Sequence, residues 1–222
     1  MGVDRIMLKD GAYGKFKYIL YIPSEEENLP LITVLHGSGE VGSKLSKLKK
    51  REPYLSLKKG SIKPNAIVLM PQLPRSSWGI SAVALKKLIN YIATTYKCDN
   101  NRISITGHSL GGAGVFDMLL KYPTYFSAAA ALSPCKVYTQ KQLKSIKDIP
   151  IWIFYGQKEG KFGKYSRTIK NRLDALKGNA LLTCVKNKGH AIQFCWTSNT
   201  YKLFDWLISQ RKAEEIKDEP AI

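Results

Sequence analysis

Gly107-His108-Ser109-Leu110-Gly111-Gly112 is the stretch on which the reading of this chain turns. A β-branched apolar run, Arg102-Ile103-Ser104-Ile105-Thr106, leads into it, and Val115, Phe116, Leu119 and Leu120 follow at helical spacing. Strand, then G-x-S-x-G, then helix is the setting of a nucleophile elbow. So tight a turn needs very small residues on both sides of the serine, because a Cβ at Gly107 or Gly111 would strike the neighbouring strand and helix. The turn lifts the Ser109 hydroxyl above the sheet edge. It also aims the Leu110 N–H, at a helix N-terminus, at any anion forming there. The same six residues also suit a strand-to-helix turn with no chemistry, so partners for Ser109 have to be sought elsewhere in the chain.

Working outward, apolar strands alternate with amphipathic segments. Phe16 to Ile22, Leu31 to Leu35, Ala66 to Met70, Phe126 to Leu132, Ile151 to Tyr155 and Leu181 to Lys186 read as strands. Pro23 closes the first of these and Pro71 the third. Helices are predicted over Ser81 to Tyr96, after the elbow as far as Pro123, over Gln140 to Lys147, from about Tyr165 to Leu176 and over Thr197 to Gln210. Residues 43 to 60 read as irregular helix interrupted at Pro53, and the loop carrying Trp78 reads as exposed. Such alternation argues an α/β fold, a mostly parallel sheet with helices on both faces. No helix separates the first strands, so the sheet is expected to begin antiparallel. The 222 residues fit one domain with a core from about 16 to 210 and a charged, fraying tail from Arg211.

A serine hydroxyl is a poor nucleophile until a base takes its proton. The chain holds three histidines. His108 adjoins Ser109 and must leave the elbow in another direction, while His36 ends an inner strand and is expected to orient its own loop. His190, in Asn187-Lys188-Gly189-His190-Ala191 just past the last strand, remains as the base. The orienting acid should leave the sheet at the same edge, between serine and histidine in sequence. Asp117 lies in the elbow helix, Asp148 precedes its strand and Asp174 is inside a helix. Glu159, in Gly156-Gln157-Lys158-Glu159-Gly160, follows a strand end and is preferred by position. The oxyanion hole is expected to combine the Leu110 N–H with one from His36-Gly37-Ser38-Gly39-Glu40-Val41-Gly42, Ser38 first and Gly39 second. Glu40 either braces that loop or is solvated.

Composition limits the partners. Apolar content of 44% and charged content of 23% are those of a globular protein, and no apolar run reaches the length of a membrane span. Met1 to Tyr13 lacks the apolar core of a signal peptide, which leaves a cytoplasmic protein, preferred, or a secreted mature form with a restored methionine. The net charge of +18 favours an anionic partner, yet the basic residues are spread out. The densest run, Lys44 to Arg51, has Leu45 and Leu48 at helical spacing, and no nucleic-acid-binding pattern accompanies it. No H-x-x-x-H or C-x-x-C spacing occurs, so neither a metal nor another cofactor is expected. Cys184 and Cys195 flank His190 and are open either to a bridge or to remaining free thiols.

These pieces in this order resemble the α/β-hydrolase superfamily. Within it the chain is similar to bacterial esterases described as predicted peptidases or polyhydroxybutyrate-depolymerase-like, a group with feruloyl and acetyl-xylan esterases. The resemblance rests on Leu35 to Gly42, Met70-Pro71-Gln72, Ser77-Trp78, Asp99 to Ile103, Gly107 to Gly112, Ile151 to Gly156, Gly189-His190 and Leu203 to Gln210. It implies cleavage of carboxylic esters of short-chain, acetyl or feruloyl type, small or polymer-linked, with Gln72, Trp78 and Trp196 lining the substrate pocket. Thioester or amide cleavage by the same triad, or a non-catalytic fold binding an anionic polymer, are the alternatives. The chain departs from the group in carrying Glu159 where Asp is usual, and in following it with Gly160-Lys161-Phe162-Gly163 rather than Val-Pro. Short connections throughout predict an open site without a large lid.

Overall fold

The computed structural model describes residues 7–42 and 44–212. Eight strands form one sheet: β1 (Met7–Tyr13), β2 (Phe16–Ile22), β3 (Leu31–Leu35), β4 (Ile67–Gln72), β5 (Ile103–His108), β6 (Ala128–Leu132), β7 (Ile151–Gly156) and β8 (Ala180–Val185). Their order across the sheet is β1-β2-β4-β3-β5-β6-β7-β8. β1 and β2 run antiparallel, as do β2 and β4, and every later pair is parallel. The parallel strands therefore all release their following loops at one carboxyl edge, where α/β proteins gather their sites.

The central strands are continuous runs of apolar and small residues because both faces are covered. Alternate side chains divide between two cores. Leu20, Leu31, Leu35, Ile105 and Ala129 pack beneath α2 (Ala82–Thr95), α3 (Leu110–Lys121) and α5 (Lys161–Ala175). Ile19, Tyr21, Ile32, Val34 and Ala130 face α1 (Tyr54–Lys59) and α6 (Leu203–Ser209). Short α4 (Gln140–Leu143) starts at Thr139, whose side chain forms a reciprocal capping box with Gln142. Among the described residues no helix is long and apolar enough to cross a membrane.

Several local expectations need correction. Pro71 does not close its strand: β4 continues to Gln72, with Pro71 opposite Tyr18 of β2. Pairing with β3 stops at Leu69, so Pro71 has an open side and its missing N–H costs no ladder bond there. The last helix does not begin at Thr197. A 3₁₀ turn over Gln193–Trp196 comes first, and α6 starts only after Lys202, which has φ 47°. The Ser198 hydroxyl accepts from the Thr200 N–H, a local bond that competes with helix. The strand β1 has no counterpart in the sequence reading, because its mixed composition hides an exposed edge strand. The tail is held at its start: Arg211 pairs with Asp99, and the Lys212 N–H donates to Asn101 O. The remainder of the expected fraying tail, 213–222, lies outside the described residues.

Candidate active site

Strand register assembles the site. Leu35 of β3 pairs with Gly107 of β5, so the glycine loop and the elbow leave the sheet side by side. His108 pairs with Leu132 of β6, and Leu132 with Phe154 of β7. Gly156 of β7 pairs with Val185 of β8, which places the acid loop beside the histidine loop.

At the elbow, Ser109 has φ 57° and ψ −113°, a conformation rare for a residue with a side chain. Its N–H donates to Leu132 O at 2.8 Å and so ties the turn to β6. The close approach predicted for the glycines is steep at Gly111, where a Cβ would lie 2.1 Å from Leu35 O. Gly156 is equally confined, with Gly189 O 2.1 Å from where its Cβ would be. That contact lets the histidine loop lie directly on the end of β7.

Three of the residues singled out from sequence come within hydrogen-bonding distance of one another. Ser109 Oγ lies 2.9 Å from His190 Nε2, and His190 Nδ1 lies 2.5 Å from Glu159 Oε1. The Glu159 side chain is buried, while that of His190 is 39% exposed. Burial pushes the Glu159 carboxyl up, but bonds from His190, Ser133 and the Gly156 N–H outweigh it and hold its pKa below the usual value. An ionised Glu159 can only accept, so His190 carries its proton on Nδ1 and offers a lone pair on Nε2 to the serine.

Two supporting residues escaped the sequence reading. Ser133 Oγ and the Gly156 N–H each donate to Glu159 Oε2 at 2.7 Å. Ser133 follows β6 directly, and that position was its one available signal. His108 is buried beneath His190, with ring centroids 4.6 Å apart, and its Nε2–H donates to His190 O at 2.7 Å. Burial drives the His108 pKa down to about 4, against the pull of that carbonyl. In the unfolded chain the same ring takes its proton near 6.5. The unfolded state therefore holds the extra proton between those values, and stability falls as pH drops from about 6.5 to 4. A loss on the order of 3 kcal/mol is expected across that window. Urea titrations at pH 7 and pH 4.5 should show it, and His108→Gln, which keeps an N–H donor but cannot titrate, should flatten the difference.

The first glycine loop is braced from beneath. His36 Nδ1–H donates to Gly37 O at 2.6 Å, and its Nε2 accepts from the Leu73 N–H at 2.9 Å. Burial lowers the His36 pKa, consistent with a neutral ring. Glu40 is buried and paired with Arg51, so it braces the loop. Ser38 opens a 3₁₀ turn over Ser38–Glu40 and Leu110 opens α3. First-position N–H groups have no partner within their own helix.

The pocket residues behave differently. Trp78 is not exposed. It is fully buried against Gly114 of α3, and its Nε1–H donates to His36 O at 3.2 Å. Gln72 is also buried, and its amide donates to the Glu40 and Lys44 carbonyls. Both therefore hold the loop from within instead of lining an open pocket. Trp196 donates to Thr106 Oγ1 and borders a cavity of about 30 Å³ shared with Gly37, His108 and Tyr54. Cys184 is exposed, Cys195 is buried and both are free thiols. Among the described residues, no group of three or more His, Cys, Asp or Glu side chains is placed to hold a metal ion.

Comparison with solved structures places this architecture. A thermostable esterase matches with TM-score 0.71 and 24% identity, covering 93% of this chain and 63% of that one. The chain thus spans less than two thirds of that esterase. The feruloyl esterase module from Clostridium thermocellum, solved as a mutant with sinapinate, gives TM-score 0.68 and 15% identity over 95% of this chain and 90% of the other. A ferulic acid esterase from the anaerobic fungus Anaeromyces mucronatus gives 0.70 and 15% over 94% and 92%. These likenesses establish the α/β-hydrolase fold. No curated protein matches the chain. The family model "Putative esterase" matches residues 13–204, from the end of β1 into α6 and across every loop of the site, and the chain belongs to that esterase family.

Proposed function

We propose that the chain is a serine hydrolase that cleaves carboxylic esters of small or flat acyl groups through an acyl-enzyme. The observation that carries this reading is the unbroken hydrogen-bond line from Ser109 through His190 to Glu159, at 2.9 and 2.5 Å. Ser109 Oγ attacks the ester carbonyl as His190 Nε2 takes its proton. Glu159 holds the ring in the correct tautomer and stabilises the imidazolium. The Leu110 and Ser38 N–H groups receive the oxyanion, each donor worth about 3–4 kcal/mol of barrier. His190 then passes its proton to the leaving alkoxide. Water, deprotonated in turn by His190, releases the acid and frees Ser109.

The reading of small or flat acyl groups rests on the feruloyl esterases that share this fold and on Phe162, whose ring centre lies 4.7 Å from that of His190 and offers a planar aryl-acyl group a face beside the base. A panel of p-nitrophenyl esters from acetate to palmitate, with a feruloyl ester, a thioester and an anilide alongside, tests this. Turnover should be greatest for acetate or feruloyl ester and fall steeply beyond butyrate. Greatest turnover on palmitate or on the anilide would overturn the assignment.

The second oxyanion donor can be removed alone. Gly37 has extended backbone, φ −78° and ψ −173°, which suits a residue before proline, and Ser38 is the first position of its turn. Ser38→Pro should therefore keep the fold and delete the N–H, together with a hydroxyl that has no hydrogen-bond partner among the described residues. Its kcat on p-nitrophenyl acetate is expected to fall about 10²–10³-fold with Tm unchanged. Full activity would move the donor to Gly39.

A further inference from the structure

Lysines crowd the acid loop with the first turn of α5 behind it, and the loop that carries the base. Residues 156–164 read Gly-Gln-Lys-Glu-Gly-Lys-Phe-Gly-Lys, and residues 186–190 read Lys-Asn-Lys-Gly-His. The loops leave the parallel strands β7 and β8 at the same edge. They are clipped together by the Lys158 N–H to Lys188 O at 2.8 Å and the Asn187 N–H to Gln157 Oε1 at 2.9 Å. Lys158, Lys161, Lys164, Lys186 and Lys188 are all exposed. Among the described residues none of the five has a carboxylate partner. The one acid on these loops, Glu159, is buried and engaged by His190.

The opposite edge differs. Glu25, Glu26 and Glu27 precede β3, Asp99 precedes β5 and Asp148 precedes β7. Four cations there are matched, Lys97 with Glu27, Arg102 and Arg211 with Asp99, and Lys147 with Asp148. The chain's basic residues are spread over its surface, but the five on the Glu159–His190 side of the serine lie beside the reacting groups with no carboxylate to offset them. A cluster of like charges at a shallow, open site raises the local concentration of anionic substrate and speeds its encounter.

We propose that the natural substrate is an O-acylated acidic polysaccharide, its sugar carboxylates lying along the two lysine loops while an ester on the same chain reaches Ser109. This rests on the esterase reading above. Two features favour an acidic polysaccharide over other polyanions. A nucleic acid carries no carboxylic esters along its backbone. Phe194, 36% exposed with Lys188 Nζ 5.4 Å from its ring centre, sets an apolar face beside a cation, a surface suited to an acidic sugar ring.

Binding is tested apart from chemistry in the Ser109→Ala protein, by retention on immobilised polygalacturonate and on neutral xylan. Polygalacturonate should bind at least about tenfold more tightly at low salt, and the preference should vanish near 0.5 M salt, where the screening length is only a few ångströms. The variant Lys161→Glu/Lys186→Glu/Lys188→Glu should lose the preference at low salt. With wild type, kcat/KM on acetylated polygalacturonate should exceed that on acetylated xylan by a similar factor and converge with it in high salt. Equal binding of the two polymers, or stronger retention on phosphatidylglycerol vesicles or duplex DNA than on polygalacturonate, overturns the proposal. Cleavage of p-nitrophenyl acetate without discrimination between polymers removes the acidic substrate alone. Failure to cleave p-nitrophenyl acetate removes the esterase reading itself.

Discussion

Ser109→Ala should reduce kcat on p-nitrophenyl acetate by about 10⁶-fold, to the level left by oxyanion binding and substrate positioning. The expectation follows from what the side chain does and does not hold together. The elbow backbone is fixed by the Ser109 N–H bond to Leu132 O and by the close packing of Gly111 on Leu35, and neither involves the hydroxyl. The Oγ bonds His190 Nε2. Its removal therefore deletes the nucleophile and leaves the turn standing, with Tm unchanged or slightly raised. A fluorophosphonate probe should label wild type once per chain and leave the alanine variant unlabelled. The neighbouring hydroxyl most exposed to suspicion is Ser133, but its proton is already donated to Glu159. Labelling that persists in the alanine variant would show that another nucleophile carries the reaction.

Glu159→Gln should lower kcat by about 10³–10⁴-fold with little change in KM, for a reason specific to this site. Glu159 Oε2 accepts two hydrogen bonds, from Ser133 Oγ and the Gly156 N–H. A glutamine would have to turn its carbonyl oxygen toward those donors, which directs its NH₂ at His190 Nδ1. That nitrogen must then accept. The proton moves to Nε2, and the ring loses the lone pair needed to take the serine proton. Ser133→Ala should cost much less, because it removes one of the two bonds that hold the carboxylate and leaves the histidine tautomer unchanged. Asp174→Asn makes the control. Asp174 lies near the end of α5, is half exposed and pairs with Lys170, so its loss should leave turnover within about twofold, as for other exposed pairs. A large loss in Asp174→Asn with activity retained in Glu159→Gln would transfer the orienting role.

The glutamate also explains the local departure from an aspartate-bearing loop. The side chain reaches back to the N–H of Gly156 three residues earlier, and the Glu159 N–H donates to Gly156 O. The turn is thus closed on itself by the acid it presents. α5 begins at Lys161, directly after it, and not at Tyr165. That early start brings Phe162 onto the His190 ring.

Much of this molecule could be read from the chain because its signals are local. Buried parallel strands appear as short apolar runs, and the elbow as two glycines around a serine between a strand and a helix. With three histidines, position alone separated His190 from the other two, and strand-end placement separated Glu159 from three aspartates. Where a residue's role depends on what lies across the sheet, local pattern carries no information. Trp78 sits in a polar loop and reads as exposed, yet α3 presents Gly114 against it, where a Cβ would strike its side chain. Gln72 and Trp78 look like pocket residues by neighbourhood, and only the folded loop reveals that their N–H groups hold carbonyls from within. Ser133 and His108 are unremarkable letters until register sets β6 beside β5 and the last loop over the elbow. By itself, the sequence determined the layering, the strand-to-helix elbow and the residue types able to act at the carboxyl edge, since each depends on periodicity or on near neighbours. Only the tertiary structure decided that Ser109, His190 and Glu159 converge, which side chains brace them and which lysines come to flank them. Those outcomes depend on pairing between strands far apart in the chain, a non-local choice that the pattern within any one segment does not encode.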